Sequence, residues 1–415
     1  MQPQTSVRDI STIDAQGGGT AGSPAEAQAD AAARLLADIR GLAPALAARA
    51  AEFEAARRMP LDVVDTLRSI GVFRMFAPRS HGGLELTLPQ ALEALAALSR
   101  IDGSVGWTAM IGSASAVFLP QLPRTTYERI YRDGPDTICA GTIAPLGKAE
   151  VAPGGYRVTG RWPFASGCQH ADWMLGLCVV TRGGKPLPGP AGEAGPPLIR
   201  GVVMPAREWQ IEDTWDVAGL KGTGSHHIAL TDTLVPDANV FDFPDGRACQ
   251  PGPLYQAVPH LLALFHGAFS TGMAEGVLAE LVELAGTGRQ QLRAPAPMRD
   301  SELFQAELGR VAADVRALRP VLMAQAESHW RHAQAGTLKD DALYAQGVQT
   351  GVWIVTTAVR AADACYTLAG GAAVYDTSPL QRRMRDLHTA AQHATVQQRQ
   401  YVGAGKLLLD RAKVH

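Results

Sequence analysis

The sequence predicts an α+β protein in three consecutive parts: an N-terminal α-helical domain, a central small antiparallel β-barrel or sheet domain, and a C-terminal four-helix bundle. Three observations carry this. Residues 26–132 are Ala-rich and punctuated by Leu at helical spacing. Residues 133–245 break into short β-rich runs separated by glycine and proline. Residues 246–415 return to long helical patterns.

In chain order, residues 1–25 carry GGGTAGSP and few large apolar side chains, and they read as a disordered leader rather than a signal peptide. Gly17, Gly19 and Gly22 match GxGxxG literally, but no strand precedes them, so no dinucleotide fold is expected there. Helical segments follow at 26–57, 61–70 and 88–100, with starts at Pro60 and Pro89 and breaks at Pro78–Gly83 and Asp102–Gly103. Tyr156–Gly160, Asp172–Val180, Leu198–Met204 and His227–Leu230 read as strands. Residues 183–197 form a loop excursion, because β-texture resumes beyond them. Two long helices are expected at 301–335 and 340–369. The second starts with Asp340–Asp341 and ends at Gly370–Gly371. Its middle, Gly351–Val359, is apolar nearly all round and therefore belongs inside a bundle or an oligomer core.

Composition narrows the function. Hydrophobic residues are 46% and charged residues 19%, and the net charge is −2. This excludes a generally basic binder of nucleic acid or anionic membrane. No apolar run approaches the ~18 residues of a membrane span. The five cysteines (Cys139, Cys168, Cys178, Cys249, Cys365) are scattered and odd in number, so neither a disulfide framework nor a CxxC zinc site is expected. His329 and His332 share a helix face but lack a third ligand, so no metal site is expected. Reduced thiols and a cytoplasmic location follow as expectations.

Four motifs sharpen the reading: Arg79–Leu86 (RSHGGLEL), Gly160–Trp173 (GRWPFASGCQHADW), Gly219–His227 (GLKGTGSHH) and Gly370–Asp386 (GGAAVYDTSPLQRRMRD). Together, from about residue 30 to 410, they resemble the acyl-CoA dehydrogenase fold family. The resemblance implies a tetramer holding flavin between the β-domain and the bundle. Dehydrogenases of that family need a carboxylate base shortly after the RD of the last motif. Here no Glu occurs between 371 and 415; the position falls on His393 or Ala394, and Glu275 on the earlier bundle helix lies too late. RDLHTAAQH, GLKGTGS and RWPFASG instead resemble the branch that works as oxygenase components of two-component flavin-dependent monooxygenases. That resemblance implies reduced flavin (FADH2 or FMNH2) supplied by a separate NAD(P)H-dependent flavin reductase. It also implies O2, a C4a-hydroperoxyflavin and a small aromatic or heteroaromatic substrate. An imidazole suits proton transfer near pH 7.

The same resemblance assigns residues. His393 stands as acid/base where the family places its base. His388 is a second candidate, about 140° away on an unbroken helix, so both face one site only if the helix breaks. Ser166 falls where the family sets a hydroxyl or amide against the flavin, and Trp107 where relatives place an aromatic ring. Some relatives carry a histidine eight residues beyond that Trp, where Ser115 stands here. Thr142, Arg289, Gln305, Gly370 and Gly371 fall at flavin-contact positions, the arginine reaching a neighbouring subunit's cofactor. Two alternatives stay open: an acyl-thioester flavin dehydrogenase with an atypical base, and a non-catalytic flavin- or ligand-binding relative.

Overall fold

The computed structural model describes residues 23–412 except residue 245. Residues 1–22 of the expected leader lie outside the described residues. Its end is corrected, because Ser23 already caps the first helix: its side chain accepts from the Glu26 N–H while Glu26 reaches back to the Ser23 N–H.

Among the described residues six α-helices come first: α1 (Pro24–Ala48), α2 (Ala50–Ala56), α3 (Leu61–Ser69), α4 (Leu88–Ile101), α5 (Gly103–Ala114) and α6 (Arg124–Ile130). The second capping box, Thr87 with Gln90, starts α4, with Pro89 in its first turn. Asp102 separates α4 from α5 and caps the latter.

Ten strands follow: β1 (Cys139–Ala152), β2 (Gly155–Trp162), β3 (Trp173–Arg182), β4 (Lys185–Pro186), β5 (Pro188–Gly189), β6 (Gly192–Pro197), β7 (Ile199–Pro205), β8 (Gln210–Glu212), β9 (His227–Pro236) and β10 (Val240–Asp242). The main sheet runs β10-β7-β3-β1-β2-β9-β8, with β4 beside β3, and β5 and β6 pair separately. The expectation of a wholly antiparallel sheet needs one correction: β1 and β3 are parallel, with a bulge between Thr142 and Gly147. β1 itself is missing from the sequence reading. Gly141, Pro145 and Gly147 break its alternation, although it sits at the sheet centre. The segment 183–197 is a β-hairpin excursion, as its turn residues demand. Trp162 is fully buried, packs against Trp209 at 5.3 Å, and donates its indole N–H to the Leu177 carbonyl at 2.8 Å.

Five α-helices come last among the described residues: α7 (Leu262–Gly286), α8 (Glu302–Gln334), α9 (Asp341–Ala369), α10 (Pro379–Ala390) and α11 (Tyr401–Ala412). α7 to α10 form the bundle. α7 is its core, with Ala263 through Ala274 buried without a break. The segment Val258–Gly286 is apolar and long enough to cross a membrane, which corrects the expectation from the sequence; 83% of its most apolar window is buried inside the protein. α7 also packs on α4, which joins the bundle to the N-terminal helices. At that crossing a Cβ on Gly272 would lie 2.0 Å from the Ala96 carbonyl oxygen. Gly272→Val should therefore force the helices apart and cost about 3 kcal/mol of stability. Urea unfolding would report this as a lower midpoint at unchanged slope, and a midpoint equal to the wild type would refute it.

Candidate active site

The site is assembled by a clamp between distant parts of the chain. The loop 213–226 between β8 and β9 contains GLKGTGS. Its Leu220, at φ +54°, donates its N–H to Asp386 Oδ1 of α10 at 2.6 Å. Gly219 lies so close to α10 that a Cβ there would sit 2.2 Å from the Arg385 carbonyl oxygen. On the other side, the Gly222 N–H donates to Ser104 Oγ of α5 at 3.1 Å. Asp102 Oδ1 accepts the Ser104 and Val105 N–H groups at 2.8 and 3.1 Å. Arg385 pairs with Glu54 at 2.9 Å and reaches the Ala218 carbonyl. Burial, with the nearby Asp102 carboxyl adding to it, pushes Asp386 up to about 7. Burial also raises Asp102 above its ordinary value.

The same loop is laced to the β2–β3 loop: Ala165 N–H donates to the His226 carbonyl at 3.0 Å, and Gly167 N–H to Thr223 at 2.9 Å. Between those bonds lies Ser166. A line of hydrogen bonds runs through it: Trp107 Nε1 to Ser166 Oγ at 2.9 Å, Ser166 to Ser225 at 2.7 Å, Ser225 to Thr223 at 2.7 Å, and Thr223 to the Leu220 carbonyl at 2.8 Å. Its ends fix its polarity. An indole N–H only donates and a carbonyl only accepts, so every hydroxyl points away from Trp107. Ser166 thus spends its own hydrogen on Ser225, and its remaining capacity is as an acceptor. Beside it Phe164 is held at φ +66° and is 64% exposed. Its ring is turned outward, leaving an aromatic face open beside Ser166. The sequence reading passed over Phe164, because strain is a property of the folded loop.

Trp107 also packs the imidazoles. His393 lies 6.1 Å from it between ring centroids, and His266 of α7 lies 5.3 Å away. The two imidazoles are 4.1 Å apart, and Phe269 closes on Trp107 at 5.1 Å. α10 ends at Ala390, and His393 caps the turn Ala394–Val396, its Nδ1 accepting the Thr395 N–H at 3.3 Å. Burial pushes His393 down to about 4. It pushes His266 well below its ordinary value too, with His393 as a second cause. Both rings are therefore neutral at pH 7. His266 was missed in the sequence. A lone histidine inside the apolar run Leu262–Phe269 was the available signal.

His388 is not part of this group, which corrects its pairing with His393. Its side chain is half-exposed and its Nε2 lies 2.7 Å from Asp363 Oδ1 of α9. The helix does break between the two histidines, but it turns only His393 inward. Thr142 lies on β1 opposite Gly176, at the start of the bulge, partly exposed. Arg289 is exposed in the loop after α7, and Gln305 is exposed on α8 with its amide donating to the Arg299 carbonyl at 2.7 Å. Among the described residues, no hydrogen bond, ion pair or ring contact joins Thr142, Arg289 or Gln305 to the Trp107–Ser166 group. Gly370 caps α9 at φ +58°, ψ −142°, a conformation suited to glycine, and Gln291 packs against it. Gly371 faces open space. Arg383 and Arg385 are ion-paired to Glu280 and Glu54.

The clamp has a pH signature. Asp386 stays protonated in the folded chain up to about pH 7 but ionises near 4 when unfolded. Its contribution to stability is therefore lost as pH rises through 7. The depressed histidines act the other way, losing stability as pH falls from 6.5 toward 4. Between pH 6 and 8.5 the wild type should lose about 1 kcal/mol relative to Asp386→Asn, read from unfolding midpoints at the two values. Parallel losses in both proteins would disprove the assignment.

Comparison with known proteins agrees with this architecture. Residues 32–124 match the family "Acyl-CoA dehydrogenase, N-terminal domain", and residues 264–398 match "Acyl-CoA dehydrogenase, C-terminal domain". The FADH(2)-dependent resorcinol hydroxylase, oxygenase component, of Rhizobium sp. (strain MTP-10005) is 33% identical, over 90% of this chain and 93% of its own. The indole-3-acetate monooxygenase of Pseudomonas putida is 31% identical, over 88% of this chain and 90% of its own. XiaF from Streptomyces sp., solved in complex with FADH2 and glycerol, superposes with a TM-score of 0.84 at 27% identity, covering 91% of this chain and 96% of that one. The chain therefore belongs to the acyl-CoA dehydrogenase family, in its branch of flavin-dependent oxygenase components.

Proposed function

We infer that this protein is the oxygenase component of a two-component flavin-dependent monooxygenase. It takes reduced flavin from a separate NAD(P)H-dependent reductase and, with O2, oxygenates an aromatic small molecule. The observation that carries the reading is the polarity of the hydrogen-bond line that runs through Ser166. A serine left with acceptor capacity alone fits a ligand N–H. Reduced flavin offers one at N5, and oxidised flavin does not. When bound, the reduced flavin supplies the electrons that activate O2.

The protein's own groups do the rest. Ser166 would hold the N–H side of the cofactor and Phe164 its ring face. Trp107 and Phe269 keep water from the cleft. His393, neutral and with its Nδ1 engaged, presents an Nε2–H donor. Removal of an α-proton from a thioester needs a carboxylate base, and the buried carboxyls at hand, Asp102 and Asp386, are occupied in the clamp. This disfavours acyl-thioester dehydrogenation.

A phenolic substrate is favoured, because the resorcinol hydroxylase component is 33% identical over nearly the whole chain. A homotetramer accords with the apolar side chains Val374, Tyr375, Val402, Leu408 and Leu409, all more than half exposed in the single chain. A cytoplasmic location accords with five cysteines present as thiols.

The test is reconstitution with a flavin reductase, NADH, FAD and resorcinol under 18O2. One labelled oxygen atom should appear in the product. Absence of reduced-flavin binding, or bleaching of bound flavin by an acyl thioester without O2, would overturn the reading. His393→Leu should leave reduced-flavin binding within about twofold and cut product per O2 consumed by about a hundredfold, with hydrogen peroxide accounting for the difference.

A further inference from the structure

We propose that His266 is a second catalytic imidazole and takes the hydroxyl proton of a phenolic substrate, while His393 acts as a fixed hydrogen-bond donor. The inference rests on the phenolic monooxygenase reading above and divides its proton chemistry between two rings.

The division follows from hydrogen bonding. His393 Nδ1 accepts the Thr395 N–H. A neutral ring in that state carries its hydrogen on Nε2 and has no lone pair left for an incoming proton. It can donate to the cleft but not receive from it. His266 is held differently. Its Nδ1 is buried and meets no hydrogen-bond partner among the described residues. No protein group therefore fixes its tautomer, and one nitrogen is always available to accept. A buried polar nitrogen left unpaired carries a desolvation cost that a ligand hydroxyl offsets.

Position agrees. His266 packs at a tilt against His393 and lies against Trp107, whose indole bonds Ser166, so one ring separates it from Ser166. At the end of α5, the Ser115 hydroxyl is directed at the Ile111 and Cys139 carbonyls and so supplies no base. α7 provides the imidazole that α5 does not.

Burial and His393, the ionisable group it packs against, keep His266 uncharged at neutral pH. A weak base suffices here, because the phenolic hydroxyl becomes strongly acidic only while the ring is receiving oxygen. At that moment the O–H bond breaks, an N–H bond forms on His266, and the freed electron pair becomes a C=O bond. When the oxygenated ring carbon then loses its own hydrogen as a proton, which leaves in the water formed from the second oxygen atom, the C–H electron pair restores aromaticity and the carbonyl oxygen recovers the proton from His266. O2 is the oxidant: its O–O bond breaks, one oxygen atom bonds the ring carbon, and the two electrons of the reduced flavin take the other to water.

The experiment uses the full chain, with resorcinol and its dimethyl ether as probes and His266→Leu and His266→Asn as variants. Equilibrium dialysis without flavin reads substrate binding; single turnover with reduced FAD reads chemistry. His266→Leu should weaken resorcinol about tenfold and leave the ether, which has no hydroxyl proton, unchanged. His266→Asn, which keeps an acceptor but no basic nitrogen, should restore resorcinol binding and still slow turnover by about a hundredfold. Equal binding of resorcinol by wild type and His266→Leu overturns the proposal, as does a loss of reduced-FAD affinity in its place. Should His266→Leu fail to fold, normal turnover by His266→Asn overturns it. Wild-type hydroxylation with indifferent variants refutes this inference alone, whereas a wild type that binds no reduced flavin refutes the function on which it rests.

Discussion

The hydrogen bond from the Leu220 amide to the Asp386 carboxyl joins residues 166 positions apart and docks a β-domain loop onto the bundle. That loop brings Thr223 and Ser225 under Ser166, and α5, tied to the loop through Ser104, brings Trp107 over it. Losing the bond would leave a buried carboxyl unpaired beside Asp102, so the alternatives to the docked loop are expensive. The clamp is thus the constraint from which the site geometry descends.

Within that frame, burial decides the chemistry more than residue type does. Two histidines, ordinarily half-charged near pH 6.5, are held neutral by their surroundings. An aspartate, ordinarily charged, carries its proton close to neutral pH. The hydroxyl line adds direction: a donor-only indole at one end and an acceptor-only carbonyl at the other leave Ser166 with a single role. These properties belong to an oxygenase that must keep a reactive centre dry, rather than to a dehydrogenase with a charged carboxylate in its cleft.

The order of helical, β and helical regions was legible in residues alone, as were the limits of the long bundle helices. Expected at 301–335 and 340–369, they run Glu302–Gln334 and Asp341–Ala369. Caps at Asp340 and Gly370 made those ends readable, because capping is local. β1 was not legible. Its glycines and Pro145 read as a loop, and only its neighbours on both sides make it a central strand. The parallel pairing of β1 with β3 was hidden for the same reason.

In the site, Ser166, Trp107 and His393 were nameable from motif positions, and the missing glutamate was visible as a plain absence between residues 371 and 415. The sequence by itself determined the fold class, the motifs and the lack of that acid, since each depends on neighbours along the chain. Only the tertiary structure decided that His266 packs against His393, that His388 turns out to Asp363, and that Phe164 stands strained and exposed. Those outcomes depend on helices α7, α9 and α10 meeting across long separations, and a ring's direction after a helix break is set by the packing it meets.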